Sequence, residues 1–451
     1  MIARKLDRFI ERHFQNSRAA LLLTGARQTG KTFAIRKFAS SSGLELLEIN
    51  FLEDPRAKMI FQNHEGASDI LLRLTAYAGR TLPQGRTLVF FDEIQNYPEV
   101  VTMIKFLVDD GRFRYALSGS LLGIELKNIR SVPVGYLSVK EVHPIDFQEF
   151  LLALGVSGEV IGRVKSAFET GEPVDPVVHD SLMRQVLLYL IVGGMPAVVQ
   201  TYLDTYDIAA VQAKQKEILQ LYKWDISQYD PERKLYINEI FDLIPSELDA
   251  KNKSFILKKL NEGSRFTKYE NGFIWLKDAG VALPVFNVEE PKAPLKLAEQ
   301  RNLFKLFQND VGLLACQYVD GTALSILSGR SQVNFGAIYE NMVAQELAAH
   351  GSALYFFNSK KQGELDFVLE RDGDVLPVEV KSGKDYERHN ALSNVLANTE
   401  YGIRQAIVLY NGPGKVAGPV KYLPMYMTMF LAGEAPEIPP QVFVPDLSGL
   451  Q

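Results

Sequence analysis

Residues Gly25 to Thr32 read Gly-Ala-Arg-Gln-Thr-Gly-Lys-Thr, which fills every fixed position of the pattern G-x-x-x-x-G-K-[ST]. The run before it, Ala19 to Thr24, is apolar and strand-like, and the run after it, Phe33 to Ala39, has helical spacing. The loop therefore joins a buried strand to the start of a helix. Two glycines let the backbone bend so that successive N–H groups face phosphate oxygens, and the helix N-terminus adds partial positive charge. Gly25, Ala26, Arg27, Gln28, Thr29, Gly30, Lys31 and Thr32 form the candidate phosphate-binding set. Lys31 is placed to reach β- and γ-phosphates, and the Thr32 hydroxyl to ligate Mg²⁺.

A parallel sheet is expected around that loop. Leu44 to Phe51, Thr87 to Phe91, Tyr115 to Ser118 and Val139 to Val142 are short apolar runs separated by helical stretches. Strands covered on both faces by helices read this way. At 451 residues the chain exceeds one core, and we expect several domains. The net charge of −5 argues against non-specific coating of nucleic acid. A single cysteine, Cys316, excludes an internal disulfide and suits a reducing compartment. The start, from Met1 to Arg8, offers no apolar core for a signal peptide. Gln185 to Leu203 carries no charge over 19 residues, but Gly193-Gly194-Met195-Pro196 breaks it into two short buried helices rather than a membrane span. A cytoplasmic protein with no membrane partner is expected.

Magnesium needs a second acid. Leu88-Val89-Phe90-Phe91-Asp92-Glu93 is an apolar strand ending in two carboxylates. Asp92 would stand behind the ion, and Glu93 would polarise the attacking water. Ser118 and Ser120 close another apolar strand, where a hydroxyl either senses the γ-phosphate or belongs to an ordinary Ser-Gly turn. Arg112, Arg114 and Arg130 are open candidates for an arginine finger.

These motifs resemble a large prokaryotic family of AAA-type ATPases with a C-terminal domain of uncharacterised function. The likeness rests on residues 25–32, Phe-Asp-Glu-Ile-Gln at 91–95, Ser-Gly-Ser-Leu-Leu-Gly at 118–123 and Pro-Ile-Asp-Phe-Gln-Glu-Phe-Leu at 144–151. Gly193 to Pro196 and Asp310-Val311-Gly312-Leu313-Leu314 extend it over nearly the whole chain, with Tyr136 a departure where related sequences often carry a basic residue. The resemblance implies ATP and Mg²⁺ as ligands and an α/β fold: an AAA-type P-loop NTPase with a parallel sheet, a helical and winged-helix middle, and a C-terminal domain resembling the PD-(D/E)xK restriction-endonuclease fold. The expected divisions are 1–155 for the ATPase, 156–230 for a helical region, 231–303 for a winged-helix module, 304–335 for a connection and 336–451 for the nuclease-like domain. In the third, Ile237 to Leu243 and Asn252 to Leu260 read as helices, and Thr267 to Leu276 and Leu283 to Val288 as strands. A proline- and charge-rich linker follows at 289–294.

The C-terminal acids have a pattern of their own. Asp366 lies on one strand, Glu379 and Lys381 two apart on the next, and Glu340 on the helix before them. Residues i and i+2 share a strand face, so Asp366 and Glu379 can hold Mg²⁺ or Mn²⁺ while Lys381 orients water. The same pattern also suits a nuclease fold kept as an inactive docking module. From Lys251 to Lys305, 11 Lys/Arg face 6 Asp/Glu, either a DNA-facing surface or a solvated one. Trp224 and Trp275 read as core or interface anchors, and the six histidines show no zinc spacing. Three functions fit: an ATP-driven switch, a nucleic-acid-binding regulatory module using ATP as a structural ligand, and an ATP-gated metal-dependent nuclease. Partners in view are ATP, DNA or RNA, a protein, or further copies of the chain.

Overall fold

The computed structural model describes residues 2–120, 135–229, 234–249, 266–318, 322–327, 335–371 and 373–432. The first sheet contains β1 (Ala20–Thr24), β2 (Glu45–Asn50), β3 (Thr87–Asp92), β4 (Arg114–Ser118) and β5 (Leu137–Glu141), in the order β2-β3-β4-β1-β5. Every pairing is parallel, as the continuous apolar runs require. Alternation along β3 divides the layers. Val89 and Phe91 pack with Leu47, Ile70 and Ile104, whereas Leu88 and Phe90 pack with Ile10, Phe14 and Ile35 on the opposite face.

Helices follow at Phe147–Ala153, Gly158–Thr170, Pro176–Val192, Pro196–Thr205, Ile208–Tyr229 and Lys234–Asp249. Among the described residues no helix is long and apolar enough to cross a membrane; Pro176–Val192 and Pro196–Thr205 qualify only as a pair bent by 118°. Val186, Leu190, Val198 and Val199 on that pair are buried in the protein's own core.

The third expected module departs from the sequence reading. Residues Phe266–Asp278 form a helix where a strand was expected. Phe273, Trp275 and Leu276 bury into the core that holds Ile240 and Phe241, and that packing outweighs the β-propensity of an aromatic-rich run. The 283–288 run is a strand, β6 (Ala282–Val288), but it pairs with β7 (Glu299–Gln308) and β8 (Tyr355–Ser359). Those two runs therefore do not form a wing, and Asn252 to Leu260 lies outside the described residues. The expected boundary at 303/304 falls inside β7, and the proline-rich 289–294 segment connects β6 to β7 within one sheet.

That second sheet has the order β7-β6-β8-β9, with β9 at Gly363–Leu365. Asp366 alone separates β9 from β10 (Phe367–Arg371), which opens a third sheet. This sheet runs β10-β11-β12-β14-β13, with β11 at Asp374–Val380, β12 at Ala406–Tyr410, β13 at Lys415–Ala417 and β14 at Val420–Pro424. The helix Phe335–Ala349 packs Met342, Val343 and Leu347 into the same core as the middle helices. The C-terminal body is thus tied to the helical region by shared apolar burial.

Candidate functional site

The strand order places β4 between β1 and β3, so the ends carrying Thr24, Ser118 and Asp92 stand side by side. The loop 25–30 leaves β1 and turns into the helix Lys31–Ser41. Gly25 has φ +116°, and a Cβ there would stand 2.4 Å from the Val142 carbonyl oxygen, so glycine is required. Gly30 has φ +92° and precedes the helix in left-handed conformation.

Lys31 is buried, and its Nζ donates to the carbonyls of Gly25 at 2.9 Å and Ala26 at 2.7 Å. Burial pushes the ammonium down to about 8, with Glu93 and Asp92 opposing that shift. Thr32 Oγ1 donates to Asp92 Oδ2 at 3.0 Å. Asp92 Oδ1 accepts from the Ser118 hydroxyl and, at 3.0 Å, from the Glu93 backbone N–H. A hydroxyl, a buried carboxylate, a lysine and a glycine-bent loop at a helix start form a donor set that fits a nucleoside triphosphate with Mg²⁺. Ser118 therefore orients Asp92. Ser120 Oγ accepts from Gln95 Nε2 at 3.3 Å and from Arg27 Nε at 3.5 Å. Of the three arginine-finger candidates, Arg112 pairs with Asp110, Arg114 is exposed, and Arg130 lies outside the described residues.

Several participants carry no spacing signal in the sequence. Gln95 donates to the Glu93 carboxylate, and Glu93 has φ +55°. Arg27 forms an ion pair with Asp225 at 2.9 Å, and Tyr222 donates from its hydroxyl to the Arg27 carbonyl at 3.3 Å. Trp224, expected as an anchor, is 57% exposed on that same helix, whereas Trp275 is buried. Gly280 meets the loop from the C-terminal side; a Cβ there would stand 2.8 Å from the Ala26 nitrogen. A cavity of about 620 Å³ opens nearby, lined by Lys140, His143, Lys277, Phe304 and Tyr355, but no residue of the loop lines it.

Three further motifs meet in one buried node beside the loop. Asp310 accepts from the backbone N–H of Gly194 at 2.5 Å and of Leu313 at 3.0 Å. The Ile145 N–H donates to the Gly194 carbonyl at 2.6 Å. The Phe147 N–H donates to Glu346 Oε1 at 2.7 Å, and Gln345 Nε2 to the Tyr189 hydroxyl at 2.9 Å. Burial pushes Asp310 up to about 6. His350 and Lys5 reach Asp146 at 3.2 Å and 2.7 Å, a grouping that sequence spacing did not reveal.

The C-terminal acids also converge. Glu379 lies 3.4 Å from Lys381 Nζ, and Asp366 Oδ2 accepts the Val380 backbone N–H at 2.9 Å. Glu340, on the helix Phe335–Ala349, joins Asp366 through a shared cation. A residue outside the expected set stands among them: Lys305, on β7, is fully buried with its Nζ 2.7 Å from Glu364 Oε1. The local basic excess is thus partly internal, since one of its lysines faces no solvent, and residues 251–265 lie outside the described part.

Comparison with known proteins agrees with the first sheet and its loop. Residues 17–151 match a family described as an AAA domain, while 183–323 and 335–426 match two domains of unknown function (DUF8612 and DUF4143). No curated protein sequence matches the chain. Similar solved structures include the Walker-type ATPase PABY2304 of Pyrococcus abyssi, at 14% identity and TM-score 0.42, covering 71% of this chain and 96% of that one. A structure from work on katanin self-assembly shows 17% identity and TM-score 0.21, covering 33% of this chain and 49% of that one. PCH-2 of C. elegans shows 13% identity and TM-score 0.22, covering 50% and 60%. At such identities and scores they assign no residue a role. Residues 17–151 thus combine the match to an AAA domain with a parallel sheet and the glycine loop.

Proposed function

We propose that the chain is a Mg²⁺-dependent ATPase that works as a nucleotide switch on its C-terminal body. The observation that carries this reading is the 3.0 Å contact of Thr32 Oγ1 with Asp92 Oδ2, which joins residues 60 positions apart at the mouth of the glycine loop. Thr32 and Asp92 would hold Mg²⁺, which when bound neutralises charge on the β- and γ-phosphoryl oxygens. Lys31 would exchange two loop carbonyls for those oxygens. Glu93 takes the proton of the attacking water, Gln95 positions Glu93, and Ser118 fixes Asp92.

Coupling has a physical route. The loop touches Gly280, Asp225 and Tyr222, and the Tyr222 hydroxyl accepts from Asn309 Nδ2 at 3.3 Å, next to Asp310 of the node. The helix Phe335–Ala349 carries Gln345 and Glu346 at the node and Glu340 at the acid cluster. A phosphate that recruits Arg27 competes with Asp225, so the two nucleotide states differ in contacts to the helix Ile208–Tyr229. The C-terminal element order, helix Phe335–Ala349, β8, β9 with β10, β11, helix Asn390–Ala397 and β12, supports the nuclease-like reading of that body.

ATP turnover by wild type and Lys31→Ala tests the proposal, at stated salt, with and without DNA or RNA. Loss of turnover in the variant is expected. Equal rates in the two proteins defeat the reading, and nucleic-acid stimulation identifies the class of partner.

A further inference from the structure

Glu340, Asp366 and Glu379 are the acids that the sequence pattern offers to a divalent metal, and the structure sets a cation from the chain itself against two of them. Lys305 Nζ lies 2.7 Å from Glu364 Oε1 and 3.9 Å from both Glu340 Oε2 and Asp366 Oδ1. It also stands 5.0 Å from the centre of the Phe356 ring. Its backbone is fixed in register opposite Val285, between the buried Phe304 and Leu306. Burial alone would lower this ammonium, and Glu340, Asp366 and Glu364 outweigh it, holding the group above its ordinary value. Asp366 and Glu379 have further partners. Asp366 Oδ2 takes the Val380 N–H, and Glu379 is hydrogen-bonded to Asp366 and to Lys381.

Mg²⁺ and Mn²⁺ need carboxylate oxygens gathered at about 2.0–2.2 Å around one point. An ammonium already within 4 Å of two of these carboxylates, Glu340 and Asp366, and paired with the neighbouring Glu364, occupies that region and repels a second cation there. The residues present therefore do not fit the metal that a nuclease of this fold needs. We propose that Lys305 is a resident cation in place of the divalent ion, and that the acid cluster binds no metal and cuts no phosphodiester. The proposal is independent of the ATPase reading, and its test uses no nucleotide.

Mn²⁺ binding is measured by electron paramagnetic resonance on the nucleotide-free full chain, together with the melting temperature with and without Mn²⁺. Wild type and Asp366→Asn are expected to give the same Mn²⁺ isotherm. Lys305→Met is expected to gain a site at least about tenfold tighter than any in wild type, to melt higher with Mn²⁺, and to lose both properties on adding Asp366→Asn. Wild-type Mn²⁺ binding that disappears in Asp366→Asn overturns the proposal, as does a folded Lys305→Met with no gained site. If circular dichroism shows Lys305→Met to be unfolded, the comparison of wild type with Asp366→Asn decides.

Discussion

Lys31 Nζ lies 2.7 Å from the carbonyl oxygen of Ala26, so the loop's own backbone holds the ammonium that a triphosphate would claim. Burial brings that lysine down to about 8 from its ordinary 10.5. Above pH 8 the free protein carries Lys31 neutral, whereas bound phosphates favour the charged form. Nucleotide binding should then take up close to one proton at pH 9 and almost none at pH 7. Affinity should fall by up to about tenfold per pH unit above 8. Calorimetry in buffers of different ionisation heat measures the uptake; a buffer-independent heat at pH 9 contradicts it.

Glu93 is the group proposed to activate water, and the Gln95 side chain holds its carboxylate. Glu93→Gln should lower kcat by about 10²–10⁴-fold with little change in ATP affinity, because the amide keeps the shape but not the basicity. Gln95→Ala should lower kcat less and shift its pH profile, as expected of a positioning residue. Single-turnover kinetics and equilibrium nucleotide binding separate the two effects. A Glu93→Gln protein that hydrolyses at the wild-type rate rules out Glu93 as the base.

The glycine loop and Asp92-Glu93 were legible because each is a local pattern: a fixed spacing, or acids ending an apolar strand. The acid cluster was only half legible. Glu379 and Lys381 share a face by strand periodicity, but Lys305 reaches Glu340 and Asp366 only through the sheet order β7-β6-β8-β9. Its one trace in the sequence is a lone lysine inside Leu303-Phe304-Lys305-Leu306-Phe307. Residues Phe266–Asp278 misled because aromatic residues favour strands, while the buried partners that decide the matter, such as Ile240 and Phe241, lie on another helix. The node was invisible for the same reason: Gly194 and Asp310 are 116 residues apart.

That node should be intolerant of side-chain volume. A Cβ on Gly194 would stand 2.0 Å from the Ile145 carbonyl oxygen, a backbone atom that cannot swing away. Gly194→Ala should therefore cost on the order of 2–4 kcal/mol. Gly158→Ala, on a helix where a Cβ meets nothing within 4 Å, should cost little or stabilise. Denaturant unfolding of both variants checks this, and equal midpoints would count against the packing described.

Glu346 sits at the same node, fully buried, with Oε1 accepting from Phe147 N–H and the Tyr189 hydroxyl. Burial, reinforced by the charge of Asp146, raises its carboxyl to about 7, against the opposing influence of His350 and Lys5. The native state therefore keeps this proton at pH values where the unfolded chain, with an ordinary carboxyl near 4.5, has released it. The group's contribution to stability is fully present below pH 4.5 and is lost as pH rises through 7. Glu346→Gln keeps the acceptor for Phe147 and removes the ionisation. The variant should match wild type near pH 4.5 and exceed it at pH 8 by on the order of 2 kcal/mol. Melting temperatures of both proteins across pH 4.5–8 test the sign: a Glu346→Gln protein less stable than wild type at pH 8 would mean that the ionised carboxylate is held favourably by Lys5 and His350 after all.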